Sequence, residues 1–288
     1  MFPIPLTTGL AGPGTPPPGP DEATLDYLPM PKTMATYQPP LLPAAEDLSV
    51  CGAALAVLER LLQALAAHRV EDPPVMIDLA DLDLTNRTLL EQTLGEGEVS
   101  ALIGGPRAAR IRETRLAGVW WVHAVGPQGT LTSTHHLEVA DLPGLIRAEA
   151  FREALPAAPI PDPWPAGVMN APGVLVEVNA QAARYRPGDL SHVVNLTLLP
   201  QTEQDLHCLD QILGTGSVTL SSRGYGSCRV CAARVANVWR VQHFNSEDRL
   251  ILNTVEVTAA PTAVLAAQED IDDSAGRLAE ILEALRCG

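Results

Sequence analysis

The chain has 288 residues and a formal charge of −15, with 46% hydrophobic and 18% charged residues. That composition is globular and the length suffices for two domains, while the acidity argues against a phosphate-backbone binder. A single lysine, Lys32, stands beside 18 arginines, and no apolar run reaches the roughly 18 residues needed to cross a bilayer, so membrane insertion is not expected.

Residues 1–45 hold most of the proline clusters and are predicted to form an extended arm. It begins without the basic stretch of a secretory leader, and five cysteines show no framework spacing, so a soluble protein of the cytoplasm is expected. From 47 to 69, Leu48, Cys51, Leu55, Leu58, Leu62 and Leu65 recur at helical steps. Pro73 and Pro74 end that helix, 75–79 reads as a short strand, and 85–94 as a second helix closed by Gly95. Strands and tight turns follow to Val139, then a helical stretch at 145–155 and a proline-rich linker. The order then recurs, with a helix over 171–184, a strand over 193–199, a helix over 203–213 closed by Gly214, and strands to Val257. Residues 262–285 read as mostly helical, with Ser274 capping a stripe of Leu278, Ile281, Leu282 and Leu285.

Residues 95–139 and 214–257 align at a constant offset of 119, with one residue lost before Glu138 and Glu256. Val75, Ile77 and Leu79 precede Val194, Leu196 and Leu198 by the same offset. Turn formers persist where the sequences differ, as Gly118 against Asn237. The expected fold is therefore α+β, two tandem copies of a helix–strand–helix–four-strand unit related by a pseudo-twofold axis. Its bounds are an arm at 1–45, a first unit at 46–143, a linker at 144–169, a second unit at 170–261 and a C-terminal helix at 262–288.

Motifs with chemistry are few. Gly95-x-Gly97 and Gly214-x-Gly216 close helices and open strands, the reverse of a dinucleotide loop. Cys228 and Cys231 have the CxxC form that ligates metals or cycles as a redox pair, yet on a strand they face opposite sides. They remain a minor metal candidate, and no cofactor is expected. His135 and His136 are likewise split between faces, and the acidic stretch 268–273 sits where a helix begins. The strands around Trp239 mix arginines with aromatics, as binding hot spots do. Trp120 and Trp239 share one position in the two copies and are assigned to the core. The candidate partner-binding residues are those particular to the second copy and placed at turns: Arg223, Tyr225, Asn237, Asn245, Ser246 and Asp248.

The segments LGTGSVTLSSRGYGSCRV, ARVANVWRVQHFNSEDRLILNTVEV and AAQEDIDDS resemble the hydrogenase expression/formation proteins of the HupH/HyaF/HoxQ type. The arm's YLPMP, with MATYQPPLLP behind it, is similar to that family's N-terminal region. The resemblance implies a non-enzymatic chaperone for a nickel–iron uptake hydrogenase. It would bind the small-subunit precursor, which carries iron–sulfur clusters and a twin-arginine signal, and delay its export; other hydrogenase maturation proteins are further candidate partners. It brings no catalytic residues, and the second cysteine of the CxxC is not part of its motif. The alternative is a redox or iron–sulfur delivery factor using Cys228 and Cys231. The acidic chain would attract a basic signal peptide, and the Pro- and Met-rich arm would cover its apolar part.

Overall fold

A computed structural model describes residues 51–126, 130–223 and 227–287, so the arm and Tyr225 lie outside the described residues. The first helix, α1 (Gly52–Ala67), buries Ala54, Val57, Leu58, Leu61 and Leu65. That stripe is rotated from the expected one, and Leu55 and Leu62 sit at its margins. After β1 (Val75–Asp78) comes α2 (Leu84–Leu94), whose first turn is capped by the Asp83 carboxylate accepting from Asn86 N at 2.8 Å. Four strands follow, β2 (Val99–Ile103), β3 (Ala109–Glu113), β4 (Val119–Val125) and β5 (Leu131–Val139). A short helix, α3 (Gly144–Glu149), ends well before the expected 155.

The second half runs α4 (Ala171–Arg184), β6 (His192–Asn195), α5 (Glu203–Leu213), β7 (Val218–Ser222), β8 (Ser227–Ala232), β9 (Val238–Phe244) and β10 (Leu250–Val257). A 3₁₀ turn (Thr262–Val264) and α6 (Gln268–Cys287) complete it. Ser274 caps nothing: it lies inside α6, 1% exposed, and its Oγ donates to Asp270 O at 2.8 Å. The helix continues because Ile271, Leu278, Ile281 and Leu282 are all buried against the first half.

The two glycine pairs have separate backbone duties. Gly95 (φ 60) and Gly214 (φ 58) adopt a conformation essentially closed to other residues, and each N–H closes its helix onto the carbonyl four residues back. A Cβ on Gly97 would lie 2.2 Å from Thr114 O, so that glycine is required by close backbone approach. Gly118 and Asn237 both take positive φ at the turn before β4 and β9.

All ten strands form one antiparallel sheet, ordered β1-β5-β4-β3-β2-β7-β8-β9-β10-β6. The two halves meet where β2 pairs with β7, from Val99 opposite Ser222 to Ile103 opposite Val218. Ala101 faces Leu220 at the centre of this seam, and those two positions are 119 apart, so the pairing is symmetric about its midpoint. The edge strands need a different alignment from the one expected. Ile77 lies opposite Leu137 and Val194 opposite Val255, so Val194 occupies the place of Ile77, two residues from the expected match. Val75 is accordingly 39% exposed and Leu198 81% exposed.

Three apolar clusters hold these layers. On one face of the sheet, Ala101, Ile103, Ile111, Val122, Leu220, Val230 and Val241 pack beneath α3 and Val264. Trp120 and Trp239 lie in that layer, their indole N–H groups donating to Ala140 O (2.9 Å) and Thr258 O (3.2 Å). On the opposite face, α1, α2 and α6 cover the β1–β5–β4 end, and α4 and α5 cover the β9–β10–β6 end. A buried polar contact recurs in both halves: Asn86 Oδ1 accepts from Ala54 N at 2.8 Å, and Asp205 Oδ1 from Ala171 N at 2.9 Å. Among the described residues, the central strands β3, β2, β7 and β8 carry no helix on this second face.

Candidate partner-binding face

Strand alternation decides what the uncovered centre presents. Ala109, Ile111, Ala101, Ile103, Leu220 and Val230 point into the covered layer, so their neighbours point out. Cross-strand register arranges those outward residues in two rows. One row runs Arg112, Ser100, Ser221, Arg229, and the other Arg110, Leu102, Thr219, Cys231. The floor is three strand spacings wide, about 14 Å. The Ser100 and Ser221 hydroxyls meet at 3.3 Å across the seam, and Leu102 is 58% exposed.

The arginines here divide into two kinds. Arg112 is paired with Glu96 and, at the margin of the face, Arg240 with Asp210. Arg110 and Arg229 are exposed and form no ion pair among the described residues, though Arg229 lies 5.9 Å from the Phe244 ring centroid. Next to Arg110, His123 stacks between Trp121 (6.0 Å) and His135 (5.7 Å). Burial, His135 and then Arg112 and Arg110 pull the His123 imidazole down to about 4, so it is uncharged at neutral pH.

The turn residues nominated from the sequence do not form one cluster. Arg223 and Asp248 line a groove of about 850 Å³ together with Ser221, Arg229, Cys231 and Phe244, at the β7–β8 end of this face. Asn245 and Ser246 belong to the β9–β10 turn at the same end. There Asn245 Oδ1 accepts from Glu247 N and Arg249 N at 2.9 Å each, and Asp248 takes φ 57. Asn237 is at the far end of β9, about 20 Å away, and its carbonyl accepts from Thr258 N. Arg110, Arg112 and Leu102 were not nominated. Their signal was the alternation in Ala109-Arg110-Ile111-Arg112, which gives a charged face but not the strand that lies beside it.

The cysteine pair behaves as strand geometry requires. Cys228 is buried, opposite His243 with Sγ 3.8 Å from Nε2, while Cys231 is on the open face opposite Thr219 and Arg240. Burial, and then the Glu256 charge, push the Cys228 thiol up to about 11, far from a reactive thiolate. Among the described residues, no group of three His, Cys, Asp or Glu side chains is placed to hold a metal ion. A second cavity, about 410 Å³ between the β2–β3 turn and the end of α3, contains Glu149, but Arg152 (2.6 Å) and Arg107 (3.4 Å) neutralise that carboxylate. Elsewhere Glu113, at the end of β3, is raised to about 7 by burial, despite accepting from Gly118 N at 3.3 Å, with Glu98 and Asp270 adding repulsion. The open face is thus built of hydrogen-bond donors and guanidinium groups on a rigid floor, which suits recognition of another chain.

Comparison with known proteins finds relatives that span nearly the whole chain. The family model described as "HupH hydrogenase expression protein, C-terminal conserved region" matches residues 51–155 and 168–285. The chain is 49% identical over 271 residues to the hydrogenase expression/formation protein HupQ of Azotobacter chroococcum, covering 92% of this chain and 93% of that one. It is 45% identical over 286 residues to HoxQ of Cupriavidus necator, covering 98% and 97%. A solved structure of a hydrogenase expression protein HupH from Thiobacillus denitrificans is 25% identical, covering 40% of this chain and 94% of its own, with a TM-score of 0.34.

Proposed function

This chain belongs to the HupH family of hydrogenase expression proteins and serves hydrogenase maturation, and from that premise we propose that it is a non-enzymatic chaperone for the hydrogenase small-subunit precursor. In this reading it binds the precursor in the cytoplasm, with the twin-arginine signal and the iron–sulfur cluster sites not yet committed, and delays export until assembly is complete. Other maturation proteins join it there. It works by binding, with no resident cofactor.

The observation that carries this reading is the open sheet centre between two helical layers, with binding groups displayed on both sides of the seam. The turn residues Arg223 and Asp248 form one rim of the proposed contact, with Asn245 and Ser246 nearby; Asn237 belongs to the opposite end, and Tyr225, a further proposed contact residue, lies outside the described residues. The two-unit organisation is part of the same proposal. It is supported by the two matched segments and by a seam that is symmetric in sequence position. A delivery route through Cys228 and Cys231 finds no support in side chains that face opposite sides of a strand.

The test is co-purification of the tagged chain from cells expressing the hydrogenase, with and without the small subunit's signal peptide. The expected result is recovery of the signal-bearing precursor with the tagged chain, and weaker recovery once the signal is removed. Recovery of no hydrogenase subunit would overturn the reading.

A further inference from the structure

The whole chain is strongly acidic, yet the centre of its open face is basic. Four outward arginines, Arg110, Arg112, Arg229 and Arg240, stand on β3, β8 and β9, and among the described residues only Arg112 and Arg240 are matched by the protein's own carboxylates. Arg110 and Arg229 occupy equivalent positions in the two halves, on strands flanking the seam, roughly 15 Å apart across it. Between them lie the Ser100 and Ser221 hydroxyls and the exposed Leu102. We infer that this face docks an acidic amphipathic segment of the client, with Arg110 and Arg229 each taking a carboxylate and Leu102 meeting an apolar side chain between them. The inference rests on the chaperone reading and names the chemistry of the contact.

Three physical points select this occupant. A guanidinium on a flat floor is suited to bidentate carboxylate contact, and serine hydroxyls add donors for acceptor groups. A width of about 14 Å accepts a helix of about 10 Å diameter and leaves the floor's edges wet. The charge is local. At physiological salt, fields fade over about 8 Å, so a short acidic segment feels the arginines more than the remote acids. A nucleic acid spans further, and the net charge of −15 repels it along its length. Burial and His135 do most to depress the His123 imidazole beside Arg110, and the charges of Arg112 and Arg110 add to it.

The experiment measures fluorescence anisotropy of a labelled short helical peptide of glutamate, alanine and leucine with one apolar stripe. Controls are the same peptide with glutamine for glutamate and a single-stranded oligonucleotide. The acidic peptide is expected to bind the full chain at least about tenfold more tightly than the glutamine peptide, and rising salt should weaken it. Arg110→Glu with Arg229→Glu should lose about a hundredfold in affinity, Arg110→Gln with Arg229→Gln about tenfold, and Arg60→Glu on α1 should change little. Equal binding of both peptides, an unaffected double reversal in a variant with unchanged circular dichroism, or equally tight oligonucleotide binding would each overturn the inference. The same variants used in co-purification separate the two readings. A double reversal that still recovers the precursor sinks the docking inference and leaves the chaperone reading standing. A wild-type chain that binds the peptide but recovers no hydrogenase subunit sinks the chaperone reading and the assignment of the segment to the client, leaving only the chemistry of the face.

Discussion

Glu113 offers a direct check on the packing of the first half. Its carboxyl, at the end of β3 beside Gly118, is raised from 4.5 to about 7 by burial, with Glu98 and Asp270 reinforcing the shift and the Gly118 and Val99 N–H groups opposing it. A carboxyl that holds its proton more tightly when folded destabilises the fold as pH rises. The native state binds the extra proton between about 4.5 and 7, so stability falls across that window and the full cost is present above it. A gap of this size corresponds to at most about 3 kcal/mol. Glu113→Gln keeps the shape and the acceptor for Gly118 N but removes the titration. The variant should therefore exceed wild type by about 2–3 kcal/mol at pH 8 and by less than about 1 kcal/mol at pH 5. In a domain of this size that is a melting-temperature gain of roughly 5–10 °C at pH 8, read by calorimetry, and little at pH 5. An equal difference at both pH values, or a loss at pH 8, would refute the assignment.

Three further outcomes follow from residues already placed. Gly214→Ala puts a Cβ 2.1 Å from Arg234 Nε at φ 58, so it should cost roughly 1–3 kcal/mol of stability; an unchanged thermal midpoint would remove the conformational argument. The fully buried Asp205 is pushed up by burial but pulled well below the usual carboxylate range by the N–H groups of Ala171, Thr202 and Met169. Asp205→Ala should cost roughly 2–4 kcal/mol in urea titrations near neutral pH, and the deficit should shrink as acid protonates the wild-type carboxyl; a pH-independent deficit would contradict it. His123 stays neutral when folded down to about 4, so its contribution to stability is lost as pH falls from about 6.5 towards 4. In Arg110→Gln its NMR titration midpoint should move upward, and an unmoved midpoint would show that Arg110 does not act on it.

What could be read from the residues was whatever the local backbone enforces. Gly95 and Gly214 announce a helix end because almost nothing else tolerates that conformation, and Gly118 and Asn237 mark one turn in two different sequences. The opposed faces of Cys228 and Cys231 follow from alternation alone. Long-range matters were hidden. Nothing in Ala101 or Leu220 says that the strands carrying them lie side by side, so the joined sheet and its basic centre could not be assembled from either half. The contact of Asp205 with the start of α4 spans 34 residues and needs the fold before it has meaning. Ser274, amid carboxylates and followed by Ala275-Gly276, looks like a cap; the burial of Ile271 one turn earlier keeps the helix running through it.

The seam between β2 and β7 also bears on how such a chain can vary. A strand that pairs with its own counterpart about a local twofold is the contact a symmetric homodimer makes, in which every change is imposed on both sides at once. In the two-unit organisation proposed above, joining the partners in one polypeptide would replace association by an intramolecular step and lift that restriction. Ala101 can stay small while Leu220 grows to fill the space opposite it. Cys231 can stand where the other half keeps Arg112, and α6 can settle on one side only. In the proposed reading, an asymmetric client that presents a different surface to each end of the face would be matched more readily by such a fused pair than by two identical chains.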